Sequence, residues 1–307
     1  SGNCHRAALL DHTKLGHGLN HWCGTDSGHA GGHVANEREE EVMKKFAKIY
    51  LAIAFLILYL PIFYLIFYAF NEGGDMNKFT GFTLDYFSSM MGDSRLMLIL
   101  AQTFLLAFLS SLIATVIGTF GAIYIYQSKD KYQNALLSIN NILMVAPDVM
   151  IGASFLILFT KIGFELGFSS VLLSHVAFSI PIVVLMVLPR LKEMNADMIS
   201  AAYDLGASQP QMLREIMLPY LTPAIIAGYF MAFTYSLDDF AVTFFVTGNG
   251  YSNLSVEIYS RARQGISLEI NALSALVFLF SILLVVGYYF ISREKEELAW
   301  EDSIHSS

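Results

Sequence analysis

The sequence predicts an all-α membrane protein that crosses the bilayer six times and keeps both ends on the cytoplasmic side. Three observations support this prediction: the composition, the length of the apolar runs and the distribution of basic residues. Of the 307 residues, 55% are hydrophobic and 14% are charged, and the mean hydropathy is +0.54, which is too apolar for an ordinary soluble domain. The net charge of -8 argues against a nucleic-acid-binding protein, because phosphate recognition requires clustered Lys and Arg.

Six apolar stretches reach the length of about 20 residues that a helix needs to cross a bilayer core about 30 Å thick. Helices are predicted because the strands of a membrane barrel would be short and would alternate in polarity. The six stretches are 46–70, 96–126, 135–160, 168–188, 220–247 and 271–292.

The orientation follows from the basic residues of the connecting segments, which are more frequent on the cytoplasmic side of membrane proteins. With the N-terminus inside, the inner segments hold ten Lys and Arg residues and the outer segments hold five. The first and third outer segments, 71–95 and 248–270, are long. The segment between spans four and five is then cytoplasmic.

Residues 1–42 differ from the rest of the chain and are treated as a leader. They hold both cysteines, Cys4 and Cys23, and six of the eight histidines, but no apolar run. We expect a non-native or disordered tail, followed by the membrane domain 43–298 and a polar tail, 299–307. The alternative is a metal site, because two pairs of histidines have the i, i+4 spacing that places both rings on one helix face. These pairs are His17 with His21 and His29 with His33.

A mostly polar segment, 195–219, separates spans four and five. Residues 195–205 are compatible with a helix that Gly206 ends, and a second short helix is expected to start at Ser208, with Pro210 in its first turn. Pro219 restricts the chain just before span five. The segment thus predicts two short helices joined by a tight corner.

Such a projection predicts a protein partner, because a few residues would have sufficed to connect the spans. The alternative is an amphipathic helix lying on lipid, which would favour Lys and Arg on its polar face. The first helix instead carries Asp197 and Asp204 and has no basic residue. The composition therefore favours the protein partner.

This segment resembles the cytoplasmic loop of the permease subunits of ATP-binding-cassette importers. The family pattern is Glu-Ala-Ala, three residues, Gly, nine residues and Ile-x-Leu-Pro, and Ser200 here replaces the Glu. The matching positions are Ala201, Ala202, Gly206, Ile216, Leu218 and Pro219. In the family this loop docks on an ATPase subunit, so the resemblance implies that these residues, with Ser200 and Asp204, form the coupling contact.

The resemblance covers residues 43–298 and, within the family, is greatest to the second permease subunit of spermidine/putrescine transporters. The stretches that carry it are APDVMIGASFLILF (146–159), LGFSSVLLSHVAFSIP (166–181), SLDDFAVTFFVTG (236–248) and VEIYSRARQGISLEINAL (256–273).

The resemblance implies a type I importer permease of the bacterial cytoplasmic membrane, surrounded by lipid, that forms half of a polyamine pathway. The implied partners are a homologous second permease, two cytoplasmic ATPase subunits and an extracytoplasmic binding protein that delivers the polyamine. The chain contains no G-x-x-x-x-G-K-[ST] phosphate loop. We therefore expect no enzymatic activity and no cofactor in this chain, with ATP and Mg²⁺ bound by the ATPase.

Two alternatives remain open. The first is an importer permease for another solute, such as iron, sulfate or an amino acid. The second is a transporter or channel driven by an ion gradient, although the sequence lacks the internal repeat that is common in such proteins.

Carboxylates inside apolar spans are costly and are candidates for function. Asp148 lies near the middle of predicted span three, and Asp238 and Asp239 lie in the outer half of span five. Adjacent helical residues point about 100° apart, so one of the two acids is expected to line a cavity while the other reaches a partner helix or the outer surface. With Tyr235 they form the predicted pathway, because polyamine amines favour carboxylates and aromatic rings.

The alternative is that span five is an aromatic-rich packing helix whose acids are capped by neighbouring hydroxyls. His175 in span four is expected to be a hydrogen-bonded packing residue rather than a proton relay. Pro147 and Pro181 are expected to kink their spans. Charged residues of the last outer segment are expected either to meet the binding protein or to be solvated; they are Glu257, Arg261, Arg263 and Glu269.

Overall fold

The computed structural model describes residues 29–265, 268–279 and 282–283. Regular structure in these ranges is helical, apart from one isolated antiparallel bridge between Asn71 and Phe82. The leader up to residue 28, the side chains of 29–42 and the tail from residue 284 lie outside the described part, so the predictions for the leader and the tail stay predictions. The chain divides into two compact units after Tyr64.

The first predicted span corresponds to helix α1, His29–Tyr68. Its apolar part, Met43–Tyr68, is 26 residues long and exceeds the length required to cross a bilayer. Pro61 lies inside the helix, and such residues are tolerated in membrane helices.

The second unit is a succession of helices of very different length. They are α2 (Asp85–Gly92), α3 (Ser94–Gln127), α4 (Asp130–Val145), α5 (Asp148–Ile162), α6 (Phe168–Lys192), α7 (Ala196–Asp204), α8 (Gln209–Gln211), a π-helical segment (Met212–Met217), α9 (Leu218–Asp238), α10 (Ala241–Val246), α11 (Leu254–Gln264) and α12 (Leu268–Leu279).

Four of the described helices are long and apolar enough to cross a membrane, or five spans if the bent pair α4–α5 counts as one. Spans two and four are confirmed as α3 and α6. The predicted sixth span starts as α12, and most of its remainder lies outside the described residues. The sixth crossing therefore stays a prediction.

Helices α3, α6 and α9 pack against one another and form the centre of the second unit. Small residues on α3 permit this close approach, as is common between membrane helices. At Gly118 a Cβ atom would lie 2.7 Å from Cβ of Val183 on α6. Two apolar clusters result: one includes Ala122, Leu191, Ala202 and Met212 near α7, and the other includes Leu106, Val171 and Val242 near α10.

The third predicted span, 135–160, is not one continuous helix. The chain bends by 103° between α4 and α5, and Asp148 is the first residue of α5. Pro147 lacks an N–H group and disfavours a helical conformation at the residue before it. Ala146 is accordingly extended, with φ of -63° and ψ of 134°, so the kink predicted at Pro147 is a complete break.

The expectation of a second short helix, separate from span five, is also wrong. Residues Gln209–Asp238 form one 30-residue helix that passes through the π-helical segment before Pro219. The N–H of Leu218 donates to the carbonyl of Leu213, five residues earlier. The wider π turn accommodates a proline whose ring would otherwise clash with the carbonyl four residues earlier.

Span five ends earlier than the sequence predicts. Helix α9 stops at Asp238, Asp239 is extended with φ of -63° and ψ of 121°, and the short helix α10 starts at Ala241. No proline or glycine lies at this break. The carboxylate of Asp239 explains it, because Oδ1 accepts the N–H of Val242 at 3.2 Å and Oδ2 that of Thr243 at 2.8 Å, which caps the new helix.

Gly118→Ala should destabilise the protein by about 2 kcal/mol, because the added methyl group overpacks the α3–α6 contact. Gly121→Ala on the same helix is the control, since its Cβ would lie 3.8 Å from Val184, an ordinary contact distance. Thermal unfolding of the purified protein in detergent measures both. Equal midpoints for the two variants would contradict the close packing of α3 on α6.

Candidate functional site

The polar segment after α6 forms the corner that the sequence predicts. Asn195 caps α7, since its Oδ1 accepts the N–H of Asp197 at 2.9 Å. The helix ends where Gly206 adopts φ of +85°, a left-handed conformation that favours glycine. A Cβ at Gly206 would have no atom within 4 Å, so the backbone conformation, rather than lack of space, requires glycine here.

The next helix starts at Ser208 with a reciprocal cap. Oε1 of Gln211 accepts both the N–H and the hydroxyl of Ser208, at 2.9 and 2.8 Å, as in a capping box. The predicted N-cap is confirmed, and Pro210 lies in the first turn, where it removes no helical hydrogen bond.

One face of the corner packs on the bundle and the other is exposed. Ala202 and Met212 are buried in the cluster near α7, and Ile216 and Leu218 pack against its edge. Ser200, Ala201, Asp204, Gly206 and Pro219 are exposed. Leu205, at the tip, is 90% exposed. The predicted coupling residues therefore divide into a set that packs on the bundle and a set that is exposed.

The three predicted pathway acids have different environments. The side chain of Asp239 is only 5% exposed and lies 3.3 Å from Nε2 of His175. Asp238 and Asp148 are exposed, and the hydroxyl of Tyr235 donates to Oδ1 of Asp148 at 2.9 Å. The expectation that Asp238 and Asp239 point in different directions is therefore confirmed for the described chain.

Asp239 matches the alternative that the sequence left open, in which an acid is capped by a hydroxyl. The hydroxyl of Thr243 donates to its Oδ2 at 2.7 Å, besides the two backbone N–H groups. Such a fully bonded carboxylate is a structural element of the break. Asp239 therefore differs from the other predicted pathway residues in having a buried side chain. The other three, Asp148, Tyr235 and Asp238, are exposed.

The aromatic side chains of span five mostly contact one another and α3. The ring centroids of Tyr229 and Phe233 are 6.2 Å apart, and Phe233 lies 6.5 Å from Phe104 on α3. The ring of Phe240 lies 4.6 Å from that of Tyr259 on α11. Tyr259 lies in one of the stretches that carry the family resemblance, but the sequence did not single it out as a site residue.

Charged residues at the start of α3, on α11 and on α12 form one ion-pair network. Arg261 contacts Glu257 at 2.8 Å, Asp93 at 3.0 Å and Glu269 at 3.4 Å, and Arg95 contacts Glu257 at 3.1 Å. Arg261 thus binds both Glu257 and Glu269, so the alternative in which these three residues are simply solvated does not hold. The network holds α11 on the start of α3.

The fold defines the class of protein: a helical membrane component with several apolar helices long enough to cross a bilayer. The chain belongs to the family described as the binding-protein-dependent transport system inner membrane component, whose family model matches residues 114–293.

The chain is similar to several permeases. The spermidine/putrescine transport system permease protein PotC of Escherichia coli (strain K12) is 37% identical over 215 residues, which cover 70% of this chain and 81% of that protein. PotC of Haemophilus influenzae is 35% identical over 214 residues, with 70% and 83% covered. The putrescine transport system permease protein PotI of Escherichia coli (strain K12) is 29% identical over 237 residues, with 75% and 84% covered.

Two solved structures share the fold. A chain of a bacterial ABC transporter involved in the import of alginate has a TM-score of 0.68 at 18% identity, covering 85% of this chain and 99% of that chain. A chain of the inward-facing MetNI methionine ABC transporter has a TM-score of 0.54 at 19% identity, covering 65% and 97%. These similarities establish an importer-permease fold.

Asp93→Ala should lower stability by about 1 kcal/mol, because Asp93 caps α3 through the N–H groups of Arg95 and Leu96. The hydrogen bond from Leu96, followed by that from Arg261, holds the pKa of Asp93 below its usual 3.8. A lowered pKa means that the stabilisation is complete above the usual value and is lost as the pH falls through the lowered one.

The measurement is the thermal midpoint against pH for the parent, Asp93→Ala and Asp93→Asn. Asparagine keeps the cap and loses only the charge, so its midpoint should lie between the other two. A difference between parent and Asp93→Ala that does not shrink in acid would refute this role of the carboxylate.

Proposed function

We propose that the chain is one of two homologous permease subunits of an ATP-driven polyamine importer in the bacterial inner membrane. The observation that carries the proposal is the similarity over more than two thirds of the chain to permeases named for spermidine and putrescine. The cation-binding groups described below agree with it. On this view residues 43–298 are the permease domain, and ATP and Mg²⁺ bind a separate ATPase subunit.

The proposed topology has six spans with both ends in the cytoplasm. The excess of basic residues in the inner segments supports this orientation. It places α7 and the Gly206 corner inside, where an ATPase subunit is accessible, and it places α11 outside, on the side from which a binding protein approaches. The sixth span would begin with α12 and continue to about residue 292.

The proposed substrate contacts are Asp238, Asp148 and Tyr235. A polyamine is a flexible polycation, and a carboxylate that presents free acceptor atoms in a low-dielectric body attracts it strongly. Both exposed acids lie next to a helix break: Asp148 starts α5 and Asp238 ends α9. Since a single six-helix chain encloses only half of a pathway, these exposed groups would face the second permease subunit across it.

The proposed energy input is through the corner at Gly206. ATP-driven closure of the ATPase subunits would move Leu205 and Tyr203, which are exposed. Because Ala202 and Met212 are buried against α3 and α6, a displacement of the corner would be transmitted to the bundle. Spans that tilt together would then expose the pathway alternately to the two sides.

Asp238→Asn should raise the KM for spermidine or putrescine uptake by about tenfold, since one charge-assisted contact to the cation is lost. Uptake by the reconstituted complex measures this effect. Asp85→Asn, an exposed acid in the first turn of α2, is the matched control and should leave the KM unchanged. Unchanged kinetics in Asp238→Asn would remove this residue from the pathway.

Gly206→Val should leave the complex assembled but reduce coupled transport about tenfold, the factor that corresponds to roughly 1.4 kcal/mol of backbone strain. Gly206→Asn is the control, because asparagine adopts left-handed conformations more readily than a β-branched residue. The ratio of polyamine uptake to ATP hydrolysis measures coupling. Equal ratios for the two variants and the parent would count against the corner as the docking element.

A further inference from the structure

One buried imidazole bridges the break in span five. Nδ1 of His175 lies 2.7 Å from the hydroxyl of Ser236 on α9, and Nε2 lies 2.9 Å from the hydroxyl of Thr243 on α10. All three residues have no exposed surface. Helix α6 therefore holds both sides of the interruption with a single side chain.

The hydrogen bonds of this cluster are mutually consistent. Thr243 donates its hydroxyl proton to Asp239, so its oxygen accepts from Nε2–H of His175, while Nδ1 shares a hydrogen bond with the hydroxyl of Ser236. Ser236 in turn lies 2.9 Å from the hydroxyl of Ser110 on α3. Both nitrogens of the imidazole thus have a hydrogen-bond partner, which is what a buried polar group requires.

The same cluster reaches α11. Nδ2 of Asn253 donates to the carbonyl of Asp239 at 2.9 Å and contacts the hydroxyl of Thr243 at 3.2 Å. The Oδ1 of Asn253 also caps α11 by accepting the N–H of Val256. The carbonyl that the break frees at Asp239 therefore has a hydrogen-bond partner. The conformation of the chain at the break is thus held by contacts with α6, α10 and α11.

A continuous helix would not permit this arrangement. Residues seven positions apart, such as Ser236 and Thr243, are separated by about 10 Å of rise in an α-helix, which is farther than one imidazole with two hydrogen bonds reaches. The bridge thus depends on the break, and it fixes the geometry of the break. Asp238, the exposed acid, is the residue immediately before the interruption.

We infer that His175 is a positioning residue of the pathway: by clamping Ser236 and Thr243, it sets the direction in which Asp238 faces. The clamp itself is independent of the solute, and its consequence for transport rests on the proposed function. Loss of either arm lets the end of α9 rotate relative to α10, so that Asp238 spends less time in its exposed orientation.

The test measures the orientation of residue 238 in the assembled complex without reference to transport. Asp238→Cys is introduced after Cys4 and Cys23, which are the two cysteines of the chain, are replaced by serine. The labelling rate of the introduced thiol with a small, membrane-impermeant maleimide is then compared between this parent and His175→Ala, Ser236→Ala or Thr243→Val. In each clamp variant, the thiol at position 238 should react about fivefold more slowly. This factor corresponds to the free energy of the one buried hydrogen bond that the variant loses.

Ser174→Ala is the matched control. Ser174 is adjacent to His175 and equally buried, but its hydroxyl bonds only the carbonyl of Ser170 on its own helix. In the Ser174→Ala variant, the thiol at position 238 should react with the maleimide at the parental rate. If His175→Ala does not accumulate, Ser236→Ala and Thr243→Val decide the question, since each removes one hydroxyl and no ring.

Parental labelling rates in assembled clamp variants would overturn the inference, and so would equal slowing in Ser174→Ala. A slowed rate combined with no polyamine transport by the parent complex would uphold the clamp and reject the polyamine assignment. The two hypotheses therefore fail separately.

Discussion

The structure depends on one constraint: in a lipid environment, every backbone polar group must find its partner within the protein. A long apolar helix meets this constraint by itself, whereas an interruption exposes N–H and carbonyl groups that need other partners. This chain interrupts its apolar helices at Ala146–Pro147 and at Asp239, and it ends α7 at Gly206. At the break after Asp238, the carboxylate of Asp239 caps α10 and its carbonyl accepts a hydrogen bond from the side chain of Asn253. An exposed residue lies beside each interruption: Asp148 at the first, Asp238 at the second and Leu205 at the corner.

The packed helices α3, α6 and α9 connect the corner at Gly206 with the short helices α5 and α10. Helices α3, α6 and α9 pack closely on one another, with small residues at the contact between α3 and α6. The corner at Gly206 is anchored on one end of this centre by Ala202 and Met212. The short helices α5 and α10 pack on the other end, next to the exposed acids. On the proposed function, a displacement applied at the corner would reach the exposed acids through these packed helices.

Much of this architecture could be predicted from the sequence, because the length and polarity of an apolar run define a span and the Gly206 motif defines the corner.

The breaks in the helices were harder to predict. Pro147 indicated a kink, but the 103° angle results from packing on both sides of it. Asp239 is a preferred N-cap residue, but it lies inside a long apolar run, so the sequence predicted an uninterrupted span, 220–247. The π-helical segment before Pro219 depends on local backbone geometry that no sequence pattern specifies. The bridge of His175 to Ser236 and Thr243 joins residues that are distant in sequence, so a single sequence does not reveal it either. On the proposed function, the acid that contacts the solute would also depend on the second permease subunit, whose surface is not encoded in this chain.

The proposal that an ATPase holds the corner from the cytoplasm is tested most directly at Leu205, the exposed tip. The measurement replaces Leu205 by cysteine in a chain without the leader cysteines and follows cross-linking and labelling of the introduced thiol in membranes. We predict that this thiol cross-links to a co-purifying ATPase subunit and that, in intact cells, an impermeant thiol reagent does not label it. Labelling from outside the cell, without any cross-link to an ATPase, would contradict the proposal.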